Sequence, residues 1–591
     1  MKQFQKIGVA AAVASVAAGA VAQQVSRTET GDLAIVPYYT VKDGVNTGLH
    51  IINTTNNTQV VKVRLRRGTD SRDALDFNLV MSPRDEWTAN IGGTGDEASP
   101  VLVTTNDTTC TVPEFPAGGA AMPTTFGEGA DEGYIEVIAM AQVSDDDEAT
   151  SHLAIGAEHA DGVPANCALV RQHFYRVAAA SVGTATVRGT HTSADVSSGV
   201  CIDTATGKFP GQATAAATAN CSAGAGNITT MEDSDDNALK VSFMLTDSDG
   251  GLEAGDNAVM VEGFANGPMM TNQQPLSFGT DGYLDFDPLN FELPNLAYGS
   301  YSSSVTARVD DQAATTGFNP TDGSMWDNLA DALDADSIMN DWAAFETADG
   351  TVNADWVVTL PGQYVMVDPI CEMYANYTAG SGVSAVANCA TTTALAYAAA
   401  TAGGADRNQL PLLVASNRDG GSLVTGSNLS LWDREEESLA GPETPVTEVD
   451  PDLGFSPGGG TDSPTPDDVD VILANEVNVI DFGEEGAASA LDSDLKLTVT
   501  SPDADRGWGR LDIVANPNNP TPQIWGPGAR DDESNVIPTD GGVGGVWTDL
   551  DDSDDVAVVG FAVWQRSFAA QAGNYGRIVE HSTITSTSTT R

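Results

Sequence analysis

A chain of 591 residues with 83 Asp and Glu against 26 Lys and Arg carries a formal charge of −57. Such a surface repels nucleic acid and anionic lipid, which argues against both as partners, and it suits divalent cations or salty water. Length alone points to about two to four domains.

Residues 1–22, MKQFQKIGVAAAVASVAAGAVA, place Lys2 and Lys6 ahead of an Ala/Val-rich apolar run and end in Ala20-Val21-Ala22. This is the pattern of a secretory signal peptide cleaved before Gln23. A membrane span needs about 20 strongly apolar residues, and this run is shorter and made mainly of Ala. No later segment is apolar for long enough. The expected product is extracytoplasmic, whether secreted, displayed on the cell surface or periplasmic, and has no transmembrane segment.

From Leu33 the pattern is β. LAIVPYYTV (33–41), GLHIINTT (48–55), VKVRLRR (61–67), ALDFNLV (74–80) and EWTANI (86–91) are short strand candidates separated by polar turns. In 61–67, Val61, Val63 and Leu65 alternate with Lys62, Arg64 and Arg66, which predicts a half-buried strand with a wet outer face. Strands follow at 133–143, 237–245 and 257–265. Met325, Leu329 and Leu333, capped by Ser324, and then Ile338, Trp342 and Phe345 are spaced as two short amphipathic helices. A strand at 354–360 comes next. Residues 434–468 are rich in Pro, Gly and acids and read as an acidic loop or linker. Strands resume at 469–482, 495–500, 507–515 and 556–568.

The expected fold is mostly β, with antiparallel β-sandwich-like modules, a short helical insertion and long acidic loops. The expected organisation is a signal peptide (1–22), an N-terminal β-sandwich region with disulfide loops (23–230) and a central β region with the helical insertion (231–433). The linker (434–468) and a C-terminal β region (469–591) complete it.

Six cysteines, Cys110, Cys167, Cys201, Cys221, Cys371 and Cys389, form an even set in an exported chain, which points to disulfides. Pairing between neighbours, Cys110 with Cys167, Cys201 with Cys221 and Cys371 with Cys389, is the simplest connectivity. A zinc site is disfavoured because no CxxC occurs and no cysteine stands at ligand spacing from histidine.

Carboxylates cluster at Asp145–Glu148, Glu232–Asp236 and Asp531–Glu533. TDSDGGLEAGDN (246–257) is the best calcium candidate, because its glycines let carbonyls turn inward while Asp247, Asp249, Glu253 and Asp256 supply oxygen. Asp549, Asp551, Asp552, Asp554 and Asp555 form the second. Neither has EF-hand spacing, and a solvated acidic loop is the plain alternative. Calcium is thus the one cofactor expected. His152, His159 and His173 are the densest histidine group, without HExxH spacing. No GxSxG motif occurs, so no catalytic residue and no enzyme activity are expected. Trp508 and Trp525, each beside glycine, and Trp547, two residues after Gly545, are candidates for stacking on sugar rings or for packing in the sheets.

The phrases IVPYYTV, IINTT, VVKVRLRRGTDSRDALDFNLVMSPRDEWTA, DWVVTLPGQY, LWDREEE, ANEVNVIDF and VVGFAVWQ together resemble a group of secreted or cell-surface proteins of Gram-negative bacteria. That resemblance implies location and architecture but no mechanism. The leading expectation is an acidic cell-surface structural or interaction protein, a calcium-stabilised surface-layer or matrix component. Its partners would be itself or a cell-surface polymer. The alternatives are a carbohydrate- or surface-binding adhesin and a secreted polymer hydrolase.

Overall fold

The computed structural model describes residues 23–172 apart from 70, 72, 123–126 and 128, residues 231–264 apart from 248–251, and residues 329–362 apart from 331 and 349. It also describes 425–434, 469–482 without 474, 489–499, 504–514, 557–568 and 575–585, with short pieces at 200–201, 228–229, 269, 294–296, 523–526 and 546–549. For some of these only the backbone is described.

The first body of strands begins with β1 (Gln24–Val25), β2 (Leu33–Thr40), β3 (Val45–Asn53), β4 (Gln59–Arg67), β5 (Asp73–Met81) and β6 (Glu86–Gly93). It continues with β7 (Val101–Thr104), β8 (Cys110–Val112), β9 (Ala120–Ala121) and β10 (Glu132–Val143). Three short helices follow, α1 (Asp145–Glu148), α2 (His152–Ala157) and α3 (Cys167–Gln172), with the small pairs β11 (His159–Ala160) and β12 (Val163–Pro164), then β13 (Val200–Cys201) and β14 (Ile228–Thr229). β15 (Met231–Glu232), β16 (Leu239–Asp247), β17 (Leu252–Asn257) and β18 (Val259–Glu262) return to the same body.

Two antiparallel sheets result. One has the order β1-β18-β2-β10-β4-β5-β8 with β15 added to β10; the other runs β17-β16-β3-β6-β7-β9. The alternation of the strands explains their packing. Val61, Val63, Leu65, Phe77 and Leu79 from the first sheet share a core with Leu49, Ile51, Trp87 and Ile91 from the second. Each fully buried side chain of this size contributes roughly 1.5–3 kcal/mol.

The second body contains β19 (Ser337–Thr347), β20 (Gly350–Thr359), β21 (Thr425–Asp433), β22 (Val469–Leu473), β23 (Val477–Phe482), β24 (Lys496–Val499) and β25 (Arg506–Val514). A separate hairpin pairs β26 (Gln523–Gly526) with β27 (Val546–Asp549), and β28 (Val559–Phe568), β29 (Tyr575–Glu580) and β30 (Ser582–Ile584) complete the set. All but β23–β24 pair antiparallel in this body. β19 belongs to two leaves, pairing with β25 through its first half and with β20 through its second.

The leaf of β20, β23 and β28 is buried on both faces. Trp356, Val358, Ile480, Phe482 and Ala562 pack against Ile338, Trp342, Leu429, Leu431 and Leu511 of the neighbouring leaf. The residues between them in sequence, Val357, Val479, Phe561 and Val563, join the core of the first body. This is why WVV, NVI and GFAV are apolar at consecutive positions rather than at alternate ones. Gly509 lets the leaves close, since a Cβ there would lie 3.0 Å from Trp356 Cη2 and 2.8 Å from Leu431 Cδ2. The fold is therefore mostly β, built from several antiparallel sheets with few helices.

Two expectations need correction. Ile338, Trp342 and Phe345 lie in strand β19, not in a helix. A spacing of four fits one face of a strand as well as one face of a helix, and pairing with β25 decides between them. Leu329 and Leu333 do lie in helical backbone and are buried; Ser324 and Met325 lie outside the described residues. The run at 469–482 forms two strands, because β22 pairs with β21 while β23 pairs with β20. The linker at 434–468 falls outside the described residues except for Arg434.

Cys110 and Cys167 form a disulfide with Cα atoms 5.2 Å apart, joining β8 to α3 beside the cluster of Val60, Val80, Met140 and Leu153. Cys201 is described only as backbone in β13, and Cys221, Cys371 and Cys389 lie outside the described residues. The bond spans 57 positions. Replacing both cysteines by alanine is expected to lower folding stability by about 2–4 kcal/mol. Equilibrium denaturation of the variant against the oxidised protein measures this, and equal midpoints would refute it.

Candidate functional site

The outer face of the first sheet carries a buried polar seam. Lys62, Arg64 and Arg66 on β4 were expected in water, but all three are buried. They face Asn78 and Asp76 on β5 and Glu136 on β10 across the register. Lys62 forms an ion pair with Asp76. Arg66 donates from Nε and Nη2 to the two oxygens of Glu136 at 3.0 and 3.3 Å, and Arg64 Nη1 lies 3.8 Å from the same carboxylate. Residues 294–296 cover the face, with Pro294 O accepting from Arg64 Nη1 at 2.9 Å and Leu296 buried. Alternation alone could not distinguish water from counter-ions as the environment of this face.

The seam continues into the second body. Arg66 Nη1 donates to Ser71 O at 3.0 Å, Ser71 Oγ lies 3.0 Å from Tyr134 OH, and it also donates to Glu476. Val477 N donates to Gly68 O at 2.8 Å. Hydrogen bonds thus cross from the segment after β4 to the start of β23.

A second polar junction is the loop at 489–495. Ser489 Oγ and Leu491 N donate to Asp355 Oδ2 at 2.6 and 2.9 Å. Ser493 Oγ and Asp494 N donate to Glu132 at 2.5 and 2.8 Å, and Tyr38 OH donates to the same group at 2.5 Å. One short loop therefore straps a carboxylate of the second body to one of the first. Burial raises the affinity of both Glu132 and Asp355 for a proton, and the hydrogen bonds oppose this. Asp481 sits opposite Asp355 on β23 and is 3% exposed. Burial, followed by the nearby Asp355 charge, pushes its carboxyl up to about 7.

A third cluster surrounds His159, near the disulfide. Ser82 Oγ and Asp85 Oδ2 approach the same ring nitrogen, Nδ1, at 3.2 and 3.7 Å. Nε2 faces Thr108 Oγ1 at 3.4 Å, and Thr108 Oγ1 donates to Gly162 O at 3.0 Å. A nucleophile relay needs hydroxyl and carboxylate on opposite ring nitrogens. Ser82 and Asp85 instead share one, and the Thr108 hydroxyl at the other nitrogen gives its proton to Gly162 O, so the cluster fastens β11 to the turn after β5. The side chain of His152 is not described, and His173 lies outside the described residues.

The expected calcium ligands are placed as follows. Asp247 ends β16, and Glu253 and Asp256 lie on β17. Glu253 pairs with Thr246 and Asp256 with Phe243, so these two carboxylates are on opposite faces of the hairpin. Asp256 is half-buried, and burial followed by Glu29 raises its proton affinity. Asp247 shares its face but lies four residues along the paired strand, about 13 Å away. These three do not converge. Asp249 lies outside the described residues, as do Asp551, Asp552, Asp554 and Asp555; Asp549 is described as backbone at the end of β27.

The structure does bring together two other acidic runs. β15 pairs with the end of β10, which sets Glu232 and Asp235 beside Asp145. Asn57 Nδ2 donates to Asp145 at 2.8 Å, Thr58 N to Glu148 at 3.1 Å and Gln142 to Asp235 at 3.2 Å. Trp508 stacks on Trp432 of the adjacent strand, with centroids 4.1 Å apart and planes at 12°, and is 39% exposed. Trp525 and Trp547 are register partners in the β26–β27 hairpin. No known protein family, curated protein or solved structure matches this chain.

Proposed function

We propose that this chain is an exported, acidic structural or interaction protein of the bacterial cell surface. The observation that carries the reading is the Cys110–Cys167 disulfide, because such bonds persist in oxidising compartments outside the cytosol. The A-x-A leader pattern agrees with it. Among the described residues no helix is long and apolar enough to cross a membrane.

The placement of the ionisable groups supports a mechanical role. Lys62, Arg66, Glu132, Glu136 and Asp355 are buried between strands and loops, where they tie layers together. Calcium at 246–257 is no part of this reading, since Glu253 and Asp256 face apart. Fractionation of native cells tests the proposal. A product that begins at Gln23, lies outside the inner membrane and resists thiol alkylation at Cys110 and Cys167 is expected. An intact leader on a cytosolic product with both thiols reactive would overturn it. The exposed Trp508, stacked on the half-buried Trp432, favours a second reading, a carbohydrate- or surface-binding adhesin.

A further inference from the structure

At one end of the second body, the face of the leaf that continues beyond its core is basic and aromatic. Tyr575 on β29, Arg566 on β28, Val352 on β20 and Phe345 on β19 are directly opposite one another in register. They form a row about 14 Å long across four strands. The next row on the same face pairs Arg577 with Trp564. Arg577 lies over the Trp564 ring at 4.8 Å, Arg566 over Phe568 at 4.6 Å and Arg506 over Phe345 at 5.6 Å from the ring centroids. All three arginines are exposed, and Tyr575 is 52% exposed.

The charge of this face runs against that of the chain. Acids outnumber bases 83 to 26. Yet none of the register positions on this face (345, 347, 350, 352, 354, 564, 566, 568, 575, 577 and 579) holds a carboxylate. Among the described residues, no carboxylate lies within ion-pair distance of Arg506, Arg566 or Arg577. A guanidinium stacked on a ring keeps its edge N–H groups free for a carboxylate, while the ring holds it in place.

We propose that this face docks an acidic polysaccharide, with Arg566 and Arg577 taking its carboxylates and Tyr575 and the ring edges lying against its sugars. The inference rests on the cell-surface reading, since that is where such a polymer meets the chain. Local charge complementarity to the stacked guanidinium groups and the interleaved aromatic rings favour this occupant.

The test uses the full mature protein and oligogalacturonate, with a neutral glucan of equal length as control, in calorimetric titration. Saturable binding to the uronate alone is expected, weakening as salt rises past about 0.1 M. Arg566→Ala/Arg577→Ala should lose about tenfold or more in affinity, with an unchanged melting temperature. Arg566→Lys should bind less tightly than the wild type, because the planar fork is lost. Three results would each overturn the proposal: no saturable binding, equal affinity for the neutral glucan, or no effect of the double variant. A change of sedimentation coefficient in the ligand-free double variant would also overturn it, by assigning the face to self-association. Fractionation of cells addresses location separately, so failure of one reading is distinguishable from failure of the other.

Discussion

Asp76→Asn is expected to destabilise the protein by about 3–5 kcal/mol, although it removes no volume. Asp76 and Lys62 are both fully buried and form an ion pair, and Arg64 is opposite Asp76 in register. Taking the carboxylate charge away leaves an ammonium group in a site that water does not reach. Desolvation of that cation then goes uncompensated. The double variant Lys62→Met/Asp76→Leu removes both charges and fills the space with apolar atoms. It should lose much less than the sum of the two single changes, because replacing a buried pair by hydrophobic residues is often close to neutral. Urea denaturation of the wild type, the two single variants and the double variant gives the coupling energy. Additive losses would mean that the seam is solvated in solution, contrary to the structure.

Asp481→Asn is expected to act in the opposite direction and only away from acid pH. Asp481 is pushed up to about 7, whereas an unfolded aspartate titrates near 3.8. Between these values the folded chain holds a proton that the unfolded chain has released. Stability therefore falls as pH rises through that window and stays level above it. The full difference corresponds to about 4 kcal/mol at roughly 1.36 kcal/mol per pKa unit. Asparagine keeps the shape and cannot ionise. The variant should match the wild type near pH 4 and be the more stable protein at pH 8. Thermal denaturation across pH 4–8 measures both limbs. A variant no more stable than the wild type at pH 8 would show that the Asp355–Asp481 pair is relieved some other way, with Lys496 the nearest cation.

The β class and strand positions were legible in the sequence because they rest on local signals. Period-two alternation and polar turns need no knowledge of the fold. β2, β4, β5, β10 and β25 begin within two residues of their expected positions. The pairing of Cys110 with Cys167 followed from neighbour order alone. The boundaries between sheets were not legible. Nothing in VDVILANEVNVIDF says that the chain leaves β21 and joins β20 after Leu473.

The site was less legible than the fold. Trp508 was noted as a candidate, but its stacking on Trp432 depends on register between segments far apart in sequence. Arg566, Arg577 and Arg506 gave no signal, because each stands in an ordinary strand and their common surroundings form only when β19, β20, β25, β28 and β29 assemble. The acid runs drew attention by their number, yet parity within one strand turns Glu253 and Asp256 apart.

From the amino-acid order come the elements, their approximate limits, the acidity and the even set of cysteines, all of which depend on a residue and its near neighbours. Tertiary structure decides which polar side chains are covered, as with Lys62, Arg64 and Arg66. It also decides that Ile338 and Trp342 lie in a strand, and that Asp355 meets Asp481. The physical reason is that burial and charge pairing are set by segments that are distant along the chain. Helical and extended periodicities also coincide at a spacing of four, so only the partner strand can choose between them.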